Sequence, residues 1–70
     1  MTANVYSISE IVGSSPDSIE EAITTALARA RKTLRNLDWF EVTEIRGYLD
    51  SEGGVDHYQV VLKLGFRMEE

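Results

Sequence analysis

The chain has 70 residues, no cysteine, one histidine and a formal net charge of −5. That excludes disulfides, thiolate metal sites and a histidine-rich metal centre, and it opposes non-specific binding to nucleic-acid phosphates. No apolar run reaches the length of a membrane span, and the first residues lack the basic and apolar regions of a secretory leader, so a cytoplasmic protein with one domain over residues 1–70 is expected. A core drawn from so few residues is marginal, and assembly with further copies is the reinforcement that remains.

Asn4 to Gly13 reads as a first strand. Its alternation separates Val5, Ser7, Ser9 and Ile11 from Tyr6, Ile8, Glu10 and Val12, and the second, more apolar set is expected to face the core. Gly13 to Asp17, with Pro16, breaks the pattern. A helix follows. Ser18 and Glu21 have capping-box spacing, and Ser15 ahead of Pro16 offers a competing start. Ile19, Ala22, Ile23, Ala26, Leu27, Ala30 and Leu34 follow one helical stripe, whose three alanines imply a close approach of helix to sheet. Glu20 and Glu21 open the helix, while Arg29, Arg31, Lys32 and Arg35 close it, as the helix dipole favours. This basic end reads as a solvated surface, or as an anion contact at a subunit junction.

Asn36, Leu37 and Asp38 end the helix, and Trp39 to Leu49 reads as a second strand. Phe40 and Val42 keep one parity, but the next large apolar residue is Ile45. A bulge near Thr43 and Glu44 explains the break and turns Arg46 to the side of Trp39. Asp50 to Gly54 is a turn. Val55 to Met68 is the most apolar strand: Tyr58, Val60, Leu62, Leu64, Phe66 and Met68 share one face, and Gln59, Val61, Lys63, Gly65 and Arg67 the other. Such a strand belongs in the centre of a sheet. The predicted fold is therefore α+β: a β-α-β-β chain with a three-stranded antiparallel sheet of order 1-3-2 and one helix on one face.

The face away from the helix carries Trp39, Thr43, Gln59, Val61, Lys63 and Arg67. Trp39 is either a plug at a subunit interface or a stacking platform for a flat ligand. Gln59 offers one donor and one acceptor to the edge of a heterocycle. Arg46 and Arg67 offer charge-assisted bonds to a phosphate. No catalytic constellation accompanies them: His57 has only Asp56 beside it, expected on the opposite face, and Ser14, Ser15 and Ser18 have turn and cap roles. The acidic residues form no metal-binding loop.

The run from Ala28 to Val42, with Trp39 after a basic helix end, resembles the central motif of the dodecins. So do Glu44-Ile45-Arg46-Gly47, Tyr58-Gln59-Val60, the closing Gly65-Phe66-Arg67 and the opening Val5-Tyr6 and Val12-Gly13-Ser14-Ser15. The resemblance implies a hollow homododecamer that binds flavin between subunits, with rings stacked between symmetry-related tryptophans. By position it implies Trp39 as the sandwich residue, Gln59 at the polar ring edge, and Arg46 and Arg67 at the phosphate of FMN, with riboflavin or FAD as other possible flavins. The implied role is flavin storage and protection from light rather than turnover, and coenzyme A at a second site is a further expectation. The turn at Asp50 to Gly54 is slightly long for the family, and His57 stands at a position where no fixed residue is expected. The competing expectation is an oligomeric interaction module with Trp39 buried between subunits and no cofactor.

Overall fold

A computed structural model describes residues 4–68. Strand β1 (Tyr6–Ser15) leads into helix α1 (Ile19–Ala30), followed by strands β2 (Leu37–Leu49) and β3 (Val55–Arg67). All pairing is antiparallel and the order is β1-β3-β2, as the patterns predict. The helix lies over β1 and β3. Its alanine stripe, Ala22, Ala26 and Ala30, meets Val60, Leu62 and Leu64 of the central strand, and these six residues are the buried core. Ile11, Ile23, Leu27, Leu34 and Leu37 pack around it, half-buried.

The inward face of β1 is the reverse of the expectation. Ile11, Gly13 and Ser15 face the helix, whereas Tyr6, Ile8 and Val12 are exposed on the other side. The register agrees, pairing Gly13 with the buried Val60 and Val12 with Val61. Closeness rather than hydrophobicity made the choice. A Cβ built on Gly13 would stand 2.1 Å from the Ala22 carbonyl oxygen and 2.8 Å from Ala26 Cβ. Only small side chains fit where the helix approaches so near, so Gly13 and Ser15 lie there, Ile11 packs at the margin of the core, and Tyr6, Ile8 and Val12 turn outward. The strand also runs on to Ser15 instead of breaking at Gly13.

Ser15, 2% exposed, shows how the start of the helix is satisfied. Its hydroxyl donates to Glu21 Oε1 at 2.6 Å and accepts from the Asp17 and Ser18 amides at 2.9 and 3.3 Å. Ser18 is the N-cap and accepts from the Glu21 amide at 2.9 Å. The capping box is thus half formed, because Glu21 spends its carboxylate on the buried serine. The helix ends at Ala30, short of the end at Asn36 to Asp38 that the pattern predicts. Thr33 and Leu34 fold back on the Ala30 carbonyl in a turn, and Asn36 takes the left-handed φ of 61° that reverses the chain into β2.

The β2–β3 hairpin closes on Asp50, whose carboxylate accepts from the Glu52 and Gly54 amides at 2.9 Å each. Gly53 supplies the positive φ of 87°. Register shifts at Leu37/Trp39 and Val42/Glu44 leave Asp38 and Thr43 as extra residues of β2, and the second is the bulge the parity break requires. Thr43 donates its hydroxyl to the Val61 carbonyl at 3.3 Å. A third shift, at Tyr48/Leu49, leaves Asp56 unpaired in β3. Contrary to expectation, Asp56 therefore reaches His57, its Oδ2 standing 2.7 Å from Nδ1, while the imidazole stacks on Tyr48 with centroids 4.6 Å apart.

Helix and sheet differ in length. Twelve helical residues span about 18 Å, whereas thirteen strand residues span about 43 Å. The molecule measures 55 × 20 × 14 Å, and its radius of gyration of 14.7 Å exceeds the ~11 Å of a compact chain of this length. Much of the hairpin is bare on both faces. Phe40, Val42 and Ile45 share the helix face and are exposed, and Trp39 and Tyr48 are exposed on the other. Replacing Gly13 with alanine tests the packing argument directly: the collision with Ala22 predicts a loss of about 2 kcal/mol or more in chemical denaturation followed by circular dichroism.

Candidate functional site

The outer face of the sheet is a ladder of cross-strand rows. Near one end Ile8, Gly65 and Trp39 stand side by side, one from each strand. The next row inward is Glu10, Lys63 and Glu41, then Val12, Val61 and Glu44, then Ser14, Gln59 and Arg46. Arg67 lies beyond Trp39, opposite Tyr6. The bulge at Thr43 brings Arg46 onto this face, as predicted from the parity break.

Trp39 lies flat across Gly65. A Cβ on that glycine would stand 2.0, 2.2 and 2.5 Å from Cε2, Cζ2 and Cδ2, atoms at the fused edge of the indole. Glycine in the middle of a central strand otherwise weakens it, and here it lets the ring rest on the backbone. The tryptophan remains 40% exposed, so one indole face has a floor and the other is open. This combination differs from a core plug. Behind it, a cleft of about 250 Å³ opens between α1 and β2, lined by Leu27, Arg31, Leu37, Asp38, Phe40 and Leu64 as well as Trp39.

The residue before Trp39 is held across the whole sheet. Tyr6 of β1 donates its hydroxyl to Asp38 Oδ2 of β2 at 2.7 Å, passing over β3. That hydrogen bond to a carboxylate raises the phenol above its ordinary 10.0, with smaller contributions from desolvation and the Asp38 charge and an opposing one from Arg67. The tie and the glycine floor together define where the indole sits.

The predicted site residues form two groups rather than one. Trp39 and Arg67 stand at one end, and Gln59 and Arg46 at the other. Gln59 is six positions from Gly65 along β3, which is about 20 Å. A three-ring heterocycle does not bridge that gap. If Trp39 and Gln59 serve one ligand, different subunits supply them. At the polar end the Arg46 guanidinium is engaged by the Glu44 carboxylate. The basic helix end forms a separate, smaller cleft of about 200 Å³ with Arg35, Asn36, Phe66 and Arg67 in its walls. Among the described residues no group of three or more His, Asp or Glu side chains is gathered as a metal site, and no helix is long and apolar enough to cross a membrane.

Gly65, the Tyr6–Asp38 tie and the Glu44 partner of Arg46 escaped the sequence reading. Only Gly65 left a signal there, a glycine inside an otherwise apolar strand.

Geometry of this kind, with a sheet that outruns its helix and an aromatic platform on the uncovered face, defines a small β-α-β-β subunit. Comparison with known proteins makes the assignment specific. The dodecin family model matches residues 5–69. A dodecin of Thermus thermophilus is 64% identical over 66 residues, covering 94% of each chain. The structure of dodecin from Streptomyces coelicolor superposes with a TM-score of 0.92 at 53% identity, covering 100% of this chain and 99% of that one. A calcium dodecin of Mycobacterium tuberculosis is 34% identical over 65 residues, covering 93% of this chain and 90% of its own. The chain belongs to the dodecin family.

The tie between Tyr6 and Asp38 makes a spectroscopic prediction. Because the folded phenol is raised, its hydrogen bond persists through the ordinary tyrosine range and is lost as pH climbs through the raised value. In the native protein the phenolate absorbance change of Tyr6 is expected above the ordinary tyrosine range. In Asp38→Asn the Tyr6 transition should move down toward the ordinary tyrosine value.

Proposed function

We propose that this chain is a flavin-binding storage and sequestration protein, in which FMN or riboflavin stacks on Trp39 at subunit junctions of a closed homododecamer. The observation that carries the reading is the indole on Gly65, with one face supported and the other open. A flat aromatic ligand fits that platform better than water does, since an exposed indole gains by covering its free face. Membership of the dodecin family supports the same ligand class.

The residues present suit a flavin. Trp39 supplies the stacking surface. Gln59 of a neighbouring subunit supplies one donor and one acceptor to the polar ring edge and fixes its orientation. Arg46 and Arg67 supply positive charge for the phosphate of FMN. When bound, the flavin is a light-excitable electron acceptor, and an electron-rich indole in contact with it is suited to drain its excitation. The carboxylate beside Trp39, Asp38, is occupied by the Tyr6 hydroxyl. The reading is therefore protection and storage, not turnover. It needs no nucleic acid and no membrane, and it suits a cytoplasmic protein.

Self-assembly is supported by the bare hairpin. Ile45 and Leu49 are 54% and 72% exposed, and no helix of the same subunit covers them. The competing reading, an interaction module with Trp39 sealed between subunits and no ligand, predicts the same exposed hairpin and differs only at the tryptophan.

Titration of FMN fluorescence separates the two. The native protein is expected to quench FMN with about one flavin per subunit. Trp39→Ala should bind at least roughly thirtyfold more weakly, the scale of a lost aromatic anchor, while sedimenting as the same assembly. Absence of quenching by the native protein, together with dissociation of the variant, would instead make Trp39 an interface plug.

A further inference from the structure

Arg46 does not reach Gln59's neighbourhood as a bare cation. Glu44, two residues earlier on β2, holds its guanidinium. Residues two apart on a strand share a face, and the bulge at Thr43 puts this pair on the outer face. The register places Arg46 opposite Gln59 and Glu44 opposite Val61, the next row inward. Acid, base and amide thus form one group at the polar end of the sheet.

We infer that Glu44 is a specificity-determining residue, a built-in counter-anion that lowers the site's preference for a phosphorylated flavin over neutral riboflavin. The inference rests on the flavin reading above. A phosphate that approaches Arg46 must displace the Glu44 carboxylate or stand beside it. Either course costs affinity, because like charges a few ångströms apart repel strongly once water is thinned between them. Riboflavin meets no such conflict, since its ring edge needs Gln59 and not the guanidinium. In the isolated subunit the pair is exposed, with side chains 44% and 60% accessible, and contributes little there. A ligand and a neighbouring subunit laid over this face remove that screening, so the competition is felt in the bound state.

The experiment is a pair of fluorescence titrations, riboflavin and FMN, on the native protein, Glu44→Gln, Arg46→Ala and the double variant. Glu44→Gln is expected to raise the affinity for FMN relative to riboflavin by about three- to tenfold, with riboflavin binding itself little changed. Adding Arg46→Ala should cancel the gain, and salt should shrink it. An unchanged ratio in Glu44→Gln, with both flavins still binding, overturns the inference and leaves the flavin reading standing. An equal loss of both flavins makes Glu44 structural and overturns it as well. If the native protein binds neither flavin, the underlying reading fails and the inference falls with it.

Discussion

The contact between Gly13 and the alanine stripe of α1 is the constraint on which the rest of the molecule depends. It sets the height of the helix above the sheet, and that height admits only small residues beneath it. Ser15 is accepted there because its hydroxyl is fully used, and Val60, Leu62 and Leu64 of β3 fill the remaining space. Of the bulky apolar residues on β1, Ile11 alone stays on the helix side, at the margin of the core. Tyr6, Ile8 and Val12 therefore join Trp39 and Val61 in one surface, which is more apolar than a solvated sheet face needs to be. The same economy of side chains keeps the core small, so the long hairpin has no support from its own subunit.

On the flavin reading, binding and assembly are two aspects of one arrangement. The platform at Trp39 and the amide at Gln59 lie too far apart to meet one ligand on one chain. A ligand held between them would bridge subunits, and any ligand that binds only the assembled form also stabilises it. The charged row of Glu10, Lys63 and Glu41, followed by that of Val12, Val61 and Glu44, lies between Trp39 and Gln59.

Much of this was legible in the chain itself. Strand and helix periods, the order of the sheet and the bulge near Thr43 all follow from the spacing of apolar residues, because burial on a pleated sheet leaves a parity record. The facing of β1 was not legible. Hydrophobicity pointed one way and steric closeness the other, and the distance between helix and sheet is a tertiary quantity. The helix end at Ala30 escaped for a related reason: Leu34 keeps the helical stripe while sitting on a turn, since packing needs only its position. Trp39, Gln59, Arg46 and Arg67 all stand on the outer face, but their division into two ends depends on counting along β3 after its register is known. The tie from Tyr6 to Asp38 joins residues 32 apart and has no local signature.

The central strand is also the last of the three in the chain, and this shapes how the protein comes into being. In the sheet, β1 and β2 each pair with β3 and not with each other. While the ribosome is still adding residues before Val55, neither strand has anything to pair with, and the helix has no Val60, Leu62 or Leu64 to rest on. The nascent chain must therefore wait, apolar and open, until β3 has emerged, and then collapse in one concerted step dominated by distant contacts. A fold with so late a keystone leaves no stable half-built form. Synthesis that stops short of β3 delivers unpaired strands rather than a smaller version of the protein.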